Sequence, residues 1–283
     1  MAQKPKLTLF VDIVSPFGYY AFHTLQVITR THHQNWRRRR RKLTERLIEP
    51  QKSPIFNQVE ITYIPIFLGG VMKACDNRPP INIKSDRNPS LPNSFPNPPP
   101  CTLSPYPLLA KVYVTDNEVV CADKSTYIET SRKRWAKRYS IPLSTTMPKN
   151  FPPFTLHVMR ALAVVKDKHA SMLENSIAAL YKGMWVDNKS IHEPAVFGAI
   201  LSEVLGEEKA RRVVEDSTKP EAKAKLQKNT DMAFEEGAFG LPWFVATNAQ
   251  GEVDRFWGFD HMGLMVEHLG LDGGDLKELR AML

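Results

Sequence analysis

Cysteine is the scarcest residue in this chain of 283: there are three, Cys75, Cys101 and Cys121, and no Cys-x-x-Cys pair anywhere. Three scattered thiols cannot build a disulfide framework, so a reducing, intracellular compartment is expected. Long apolar runs are lacking too. No stretch approaches the about 18 apolar residues of a membrane span, so no membrane partner is expected. Met1-Ala2-Gln3-Lys4-Pro5-Lys6 leads straight into a strand-like run. It has neither an apolar h-region nor an Arg/Ser-rich amphipathic stretch, so no secretory signal or transit peptide is read there. His32-His33 has no second ligand pair at metal spacing, which argues against a metal site.

The net charge of +8 points toward nucleic acid until its distribution is read. Between Ile28 and Lys52 stand nine basic residues, Arg37 to Arg41 among them, against Glu45 and Glu49. That tract holds +7 of the total, so a general basic surface is absent and nucleic acid is not the expected partner. A second unusual stretch runs from Asp86 to Asp123. Residues 86 to 107 contain eight of the chain's 22 prolines, which forbids continuous helix or a central strand. Both segments, 28–52 and 86–123, read as low-order insertions. The arginine run could serve as a nucleic-acid or nuclear-import patch and the proline tract as a ligand for aromatic-lined domains. The reading adopted is that neither was selected to fold, as translated introns would not be.

Elsewhere the pattern is ordered. Leu7 to Ile13 alternates as a strand, and Val59 to Pro65 is a second. Helical spacing follows over Tyr127 to Tyr139, Phe154 to Val165, Met172 to Met184, Glu193 to Leu205 and Lys219 to Glu236. The period then returns to two. Trp243 to Thr247 and Glu252 to Trp257 flank an Asn248-Ala249-Gln250-Gly251 turn, and a last helix spans about His261 to Leu269. This order predicts an α/β fold: a thioredoxin-like domain, residues 1–85 and 237–283, interrupted by an all-α insertion, residues 124–236.

Two turns carry the chemistry. Val14-Ser15-Pro16-Phe17-Gly18 follows the first strand, with serine placed to cap a helix and proline in its first turn. In thioredoxin-like folds that turn normally holds the redox cysteines. A hydroxyl there cannot exchange disulfides, but it can hold a thiolate that arrives as a ligand. Gly240-Leu241-Pro242 stands at a strand entrance and is a candidate cis peptide. A cis bond there turns the Leu241 N–H and C=O outward, where they can pair with a peptide main chain. Taken singly, each turn has a plainer reading as a helix cap or a loop.

Five motifs in order resemble kappa-class glutathione transferases: Ser15-Pro16; Phe67 to Lys73 with Asn77-Arg78-Pro79-Pro80; Arg132 to Lys137; Met159-Arg160-Ala161-Leu162; and Gly237 to Pro242. More distant relatives are 2-hydroxychromene-2-carboxylate isomerases and bacterial disulfide oxidoreductases. The resemblance covers residues 1–27, 53–85 and 124–283. It implies glutathione as co-substrate, a small hydrophobic electrophile as second substrate, no metal, and a homodimer in mitochondria, peroxisomes or cytosol. Ser15 matches the serine that hydrogen-bonds the glutathione sulfur, and Asn77 a glutathione-binding asparagine. Leu241, before Pro242, matches the residue whose main chain pairs with the cysteinyl part. Asp260 matches the aspartate that binds the γ-glutamyl ammonium. The family's Gly-Ser-Asp-Arg is here Gly258-Phe259-Asp260-His261, a departure that predicts weaker glutathione affinity.

Physical chemistry supports the Ser15 role independently. A free thiol near pKa ~8.5 is mostly protonated at neutral pH. A helix N-terminus and an O–H···S⁻ donor favour the anion, and lowering the thiol pKa by about two is worth roughly 2.7 kcal/mol. Phe17, Tyr19 and Tyr20 read equally as pocket walls or helix packing; Cys75, His157 and His192 read as structural. The rival readings are a glutathione-dependent isomerase of an aromatic chromene acid, a non-catalytic basic or peptide-binding protein, and an inactive product.

Overall fold

A computed structural model describes residues 3–26, 56, 58–77, 114–115, 118–119 and 122–271. Strand β1, Lys6–Val11, is central: it pairs in parallel with β2, Glu60–Pro65, and antiparallel with β5, Trp243–Thr247. Strand β6, Val253–Trp257, closes the order β2-β1-β5-β6. Alternation along β1 serves two cores at once. Leu7, Leu9 and Val11 enter the larger core, while Phe10 joins Ile64, Ile66, Val71, Ala233, Leu241 and Trp243 on the opposite face.

Helix α1, Pro16–Gln26, follows β1, and α2, Leu68–Ala74, follows β2. The helical part comprises α3, Ala122–Arg138; α4, Leu156–Lys168; α5, Leu173–Trp185; α6, Pro194–Leu205; α7, Glu207–Ser217; and α8, Pro220–Glu235. Proline opens α6 and α8 where its missing N–H has no intrahelical partner to lose. Gly206, at φ 83°, ends α6 in a conformation that favours glycine. A single turn of 3₁₀ helix, Phe259–His261, then leads into α9, Met262–His268. The helical part shares its apolar interior with the sheet: Met159, Leu162, Tyr181 and Trp185 lie in one cluster with Leu9 and Phe244. Each such buried side chain contributes about 1.5–3 kcal/mol. Lys168 to Asp216 at 2.7 Å, and the Lys225–Asp167 pair, fasten α4 to α7 and α8.

This is an α/β, thioredoxin-like sheet with a helical insertion, and some boundaries differ from the sequence reading. Residues 28–52 lie outside the described residues, as does most of 86–123. Within the latter, however, β3, Val114–Thr115, pairs with β4, Glu118–Val119, and α3 already starts at Ala122. Helix α4 begins at Leu156 rather than Phe154, with Thr155 at the cap position. Helix α7 had no counterpart in the sequence reading. Its buried residues, Ala210, Val213 and Ser217, sit in an otherwise charged stretch. Among the described residues no helix is long and apolar enough to cross a membrane.

Candidate active site

The polypeptide leaves β1 through a turn fixed from two directions. Its own backbone supplies Ser15 N–H to the Asp12 carbonyl, 3.1 Å, and Val14 N–H to Asp12 Oδ1, 3.1 Å. The α5 helix supplies the rest: Tyr181 Oη donates to the Asp12 carbonyl at 3.3 Å, and Trp185 Nε1 to the Ile13 carbonyl at 2.9 Å. Residues 181 and 185 are four apart and so share one helix face, which aims both donors at consecutive carbonyls.

Ser15 is buried, at 5% exposure, and its hydroxyl works in two senses. Oγ accepts from Gly18 N–H at 3.0 Å, capping α1. Its proton is directed at the Leu241 carbonyl, 3.4 Å away, a long contact spanning 226 residues of sequence. The Leu241–Pro242 bond is cis. Asn77, beyond the end of α2, donates Nδ2 to the Phe239 carbonyl at 2.9 Å. Hydrogen bonds thus join Ser15 and Asn77 to one loop, residues 239–241. That loop is held in turn by Gly258 N–H on the Pro242 carbonyl, 3.0 Å.

Asp260 lies two residues past that last anchor, and its carboxylate is not drawn into the Ser15 cluster. Its side chain is 60% exposed, with Oδ1 3.5 Å from His261 Nδ1. Gly258, at φ 95°, allows the approach: a Cβ there would collide with Asp260 Oδ1. Phe259 points inward to Tyr20, Trp135 and Tyr139, with edge-to-face rings 5.4–5.7 Å apart. Where the resemblance expects a serine hydroxyl, this chain therefore has a packing anchor.

Tyr19 and Tyr20 belong to the core, their hydroxyls donating to the carbonyls of Pro142 and Arg132. Of these three rings, Phe17 alone, half-buried, keeps a surface near the turn. The exposed rings of Phe239 and Trp257 lie 4.8 Å apart beside Gly240, and exposed Phe154 meets half-buried Phe67 at 5.3 Å. Cys75, half-buried, spends its thiol on the Val71 carbonyl.

Sequence reasoning passed over Asp12. It is fully buried, and burial pushes its carboxyl up to about 6 even though Leu68 N–H, Val14 N–H and the Thr155 hydroxyl all favour the ionised form. A carboxylate in an otherwise apolar run, three residues before Ser-Pro, was the available signal.

The family model for the DsbA-like thioredoxin domain matches residues 6–270. The chain belongs to that family. Within the DsbA-like group it is similar to glutathione S-transferase kappa 1 of Caenorhabditis elegans, 23% identical over 95% of this chain and 92% of the relative. The human glutathione S-transferase kappa 1 is 31% identical over 52% of this chain and 66% of its own length. Among solved structures, a 2-hydroxychromene-2-carboxylate isomerase superimposes with a TM-score of 0.56 at 17% identity, covering 98% of both chains. The kappa resemblance read from the motifs is thereby shown, and the isomerase structure shares the DsbA-like fold.

Proposed function

We propose that this chain is a kappa-type glutathione transferase, joining the thiolate of glutathione to small hydrophobic electrophiles. Kappa-class relatives along nearly the whole chain support that reading. So does one observation: the Ser15 hydroxyl and the Leu241 carbonyl at a cis-proline form a single donor–acceptor pair at 3.4 Å. In the bound state the Leu241 main chain pairs with the cysteinyl unit of glutathione, taking its N–H. The Ser15 proton is then released from that carbonyl and turns to the sulfur. Asn77 adds a contact to the tripeptide, and Asp260, exposed past the Gly258 anchor, receives the γ-glutamyl ammonium.

Ser15 stabilises charge and forms no covalent bond. The thiol loses its proton to solvent, the thiolate electron pair makes the new C–S bond, and the electrophile's leaving group departs with its own pair. The N-terminus of α1, 11 residues long, adds a positive dipole end beside the sulfur. The rims at Phe239–Trp257 and Phe67–Phe154 offer apolar surface for the electrophile. We place the enzyme as a homodimer, a state that light scattering reads directly.

Calorimetry with glutathione and the pH dependence of conjugation test the proposal. Saturable binding is expected, weakened by Asp260→Ala, and Ser15→Ala is expected to raise the pH at which conjugation sets in. No binding by the unaltered chain, or an unchanged pH profile in Ser15→Ala, would overturn it. In an isomerase the same thiolate adds and then departs, so product analysis with each substrate type separates the two reactions.

A further inference from the structure

Asp12 is wholly buried beneath the Ser15 turn, and the transferase chemistry gives it no task. Its contacts nevertheless converge from four elements. Oδ1 takes Val14 N–H at 3.1 Å from the Ser15 turn, and Oδ2 takes Leu68 N–H at 2.9 Å from the start of α2. The hydroxyl of Thr155, at the cap of α4, faces the same carboxylate and favours its ionised form. The main-chain carbonyl of Asp12 receives Ser15 N–H and, from α5, Tyr181 Oη.

These bonds close a ring. From Ser15 it passes through Asp12 to Leu68, along α2 to Asn77, across to the Phe239 carbonyl, and through Leu241 back to the Ser15 hydroxyl. Two N–H donors from separate elements meet at one side chain there. A carboxylate presents an acceptor oxygen to each, whereas an amide presents one acceptor and turns an NH₂ toward the second donor.

We propose that Asp12 is a positioning residue for the glutathione site, its carboxylate holding the Ser15 turn and α2 together so that Ser15, Leu241 and Asn77 address one ligand. This rests on the transferase reading. The clamp needs the ionised carboxylate, since a proton on either oxygen would face an N–H donor. Burial raises the carboxyl to about 6, so the clamp loosens in mildly acidic solution. Among the described residues, the titratable group facing Asp12 is Tyr181, whose phenol burial holds far above its usual range; the other partners, Val14, Leu68 and Thr155, carry no charge.

Steady-state kinetics with glutathione and chlorodinitrobenzene test this on the full chain. KM for glutathione is expected to rise as pH falls through about 6 in the unaltered protein. Asp12→Asn should raise KM roughly tenfold at pH 7, the cost of a lost hydrogen bond to a charged group, and should abolish that pH course. The kcat, set by the local Ser15 contact, should change far less.

Leu68→Pro removes the α2 donor while leaving Asp12 in place, and it carries the test should Asp12→Asn fail to fold. Phe67 is extended at φ −105°, ψ 107°, as a residue before proline must be, and position 68 is the first of the helix. It should raise KM in the same way. A protein that binds glutathione, and whose two variants keep its KM and its pH course, overturns the clamp. Failure of the unaltered chain to bind glutathione instead overturns the transferase reading itself.

Discussion

Ser15 and Asp12 stand three residues apart, and the site makes opposite demands on them. Ser15 satisfies the α1 cap with its oxygen and keeps its proton available, so the serine serves the fold and the proposed chemistry together. Asp12 is needed ionised, yet ionisation is what its surroundings resist. Its native pKa, about 6, lies above the value near 3.8 of an unfolded aspartate, with burial the dominant cause. A raised pKa means that the folded state binds the proton more tightly. The stability it contributes is full below pH 3.8 and is lost as pH climbs through 6. That loss is worth about 3 kcal/mol in all, most of it between pH 4 and pH 8. Urea unfolding of the unaltered chain should therefore show a fall in stability across that interval that Asp12→Asn lacks. Parallel curves for the two proteins would show that the carboxyl is not raised. A residue that lowers stability at neutral pH while ordering the site belongs with the stability–function trade-offs expected at active sites.

Helix α1 tolerates Gly18, three positions after its cap, for a reason of space. A Cβ at Gly18 would stand 3.0 Å from Tyr181 Oη, 3.1 Å from Ser15 Cβ and 3.2 Å from Ser15 Oγ. Alanine favours helix over glycine by up to about 1 kcal/mol, which would offset most of the crowding. Gly18→Ala should thus change thermal stability little while displacing the Ser15 hydroxyl. Conjugation at saturating glutathione should fall on the order of tenfold, the effect of a small misplacement at a reacting centre. An unchanged kcat would show that the turn absorbs the methyl group elsewhere. The elements legible in the sequence were those with local signatures: Ser15-Pro16, the hairpin around Asn248 to Gly251, and the helices opened by Pro194 and Pro220. Helix α7 was missed because Ala210 and Val213 are its only buried apolar residues in a run of Glu, Lys and Arg. Asp12 was missed because a carboxylate in a strand-like run looks like ordinary alternation. Its meaning comes from Leu68, Thr155 and Tyr181, 56 to 169 residues away. Asn77 and Asp260 entered through resemblance alone, since each reads locally as a turn or a cap.

The chain as a whole carries two long segments, 28–52 and 86–113, outside the described residues. The contacts that hold the fold together reach across the first of them: Gln26 Nε2 donates to Tyr63 Oη at 2.7 Å, and Phe56 is fully buried in the same core as Leu25. Across the second, Asn77 precedes it and Tyr20 bonds the Arg132 carbonyl beyond it. On the sequence expectation that neither segment was selected to fold, shortening these connections should alter stability little, since loop-closure entropy changes by only about 0.6 kcal/mol for each doubling of loop length. A chain lacking residues 28–52 and 86–113, with β3, β4 and α3 kept, is expected to bind glutathione as the full chain does. The same deletion removes the net +7 of residues 28–52, and any adherence to nucleic acid should vanish with it. Calorimetry with glutathione and salt-titrated binding to a nucleic acid, run on both forms, read the two effects separately. Retained glutathione binding would place the site wholly on the framework that Ser15, Asp12, Asn77 and Leu241 share. Binding lost along with the deleted segments would make one of them part of the site, and the ring of hydrogen bonds through Asp12 would then be incomplete as an account of what holds the ligand.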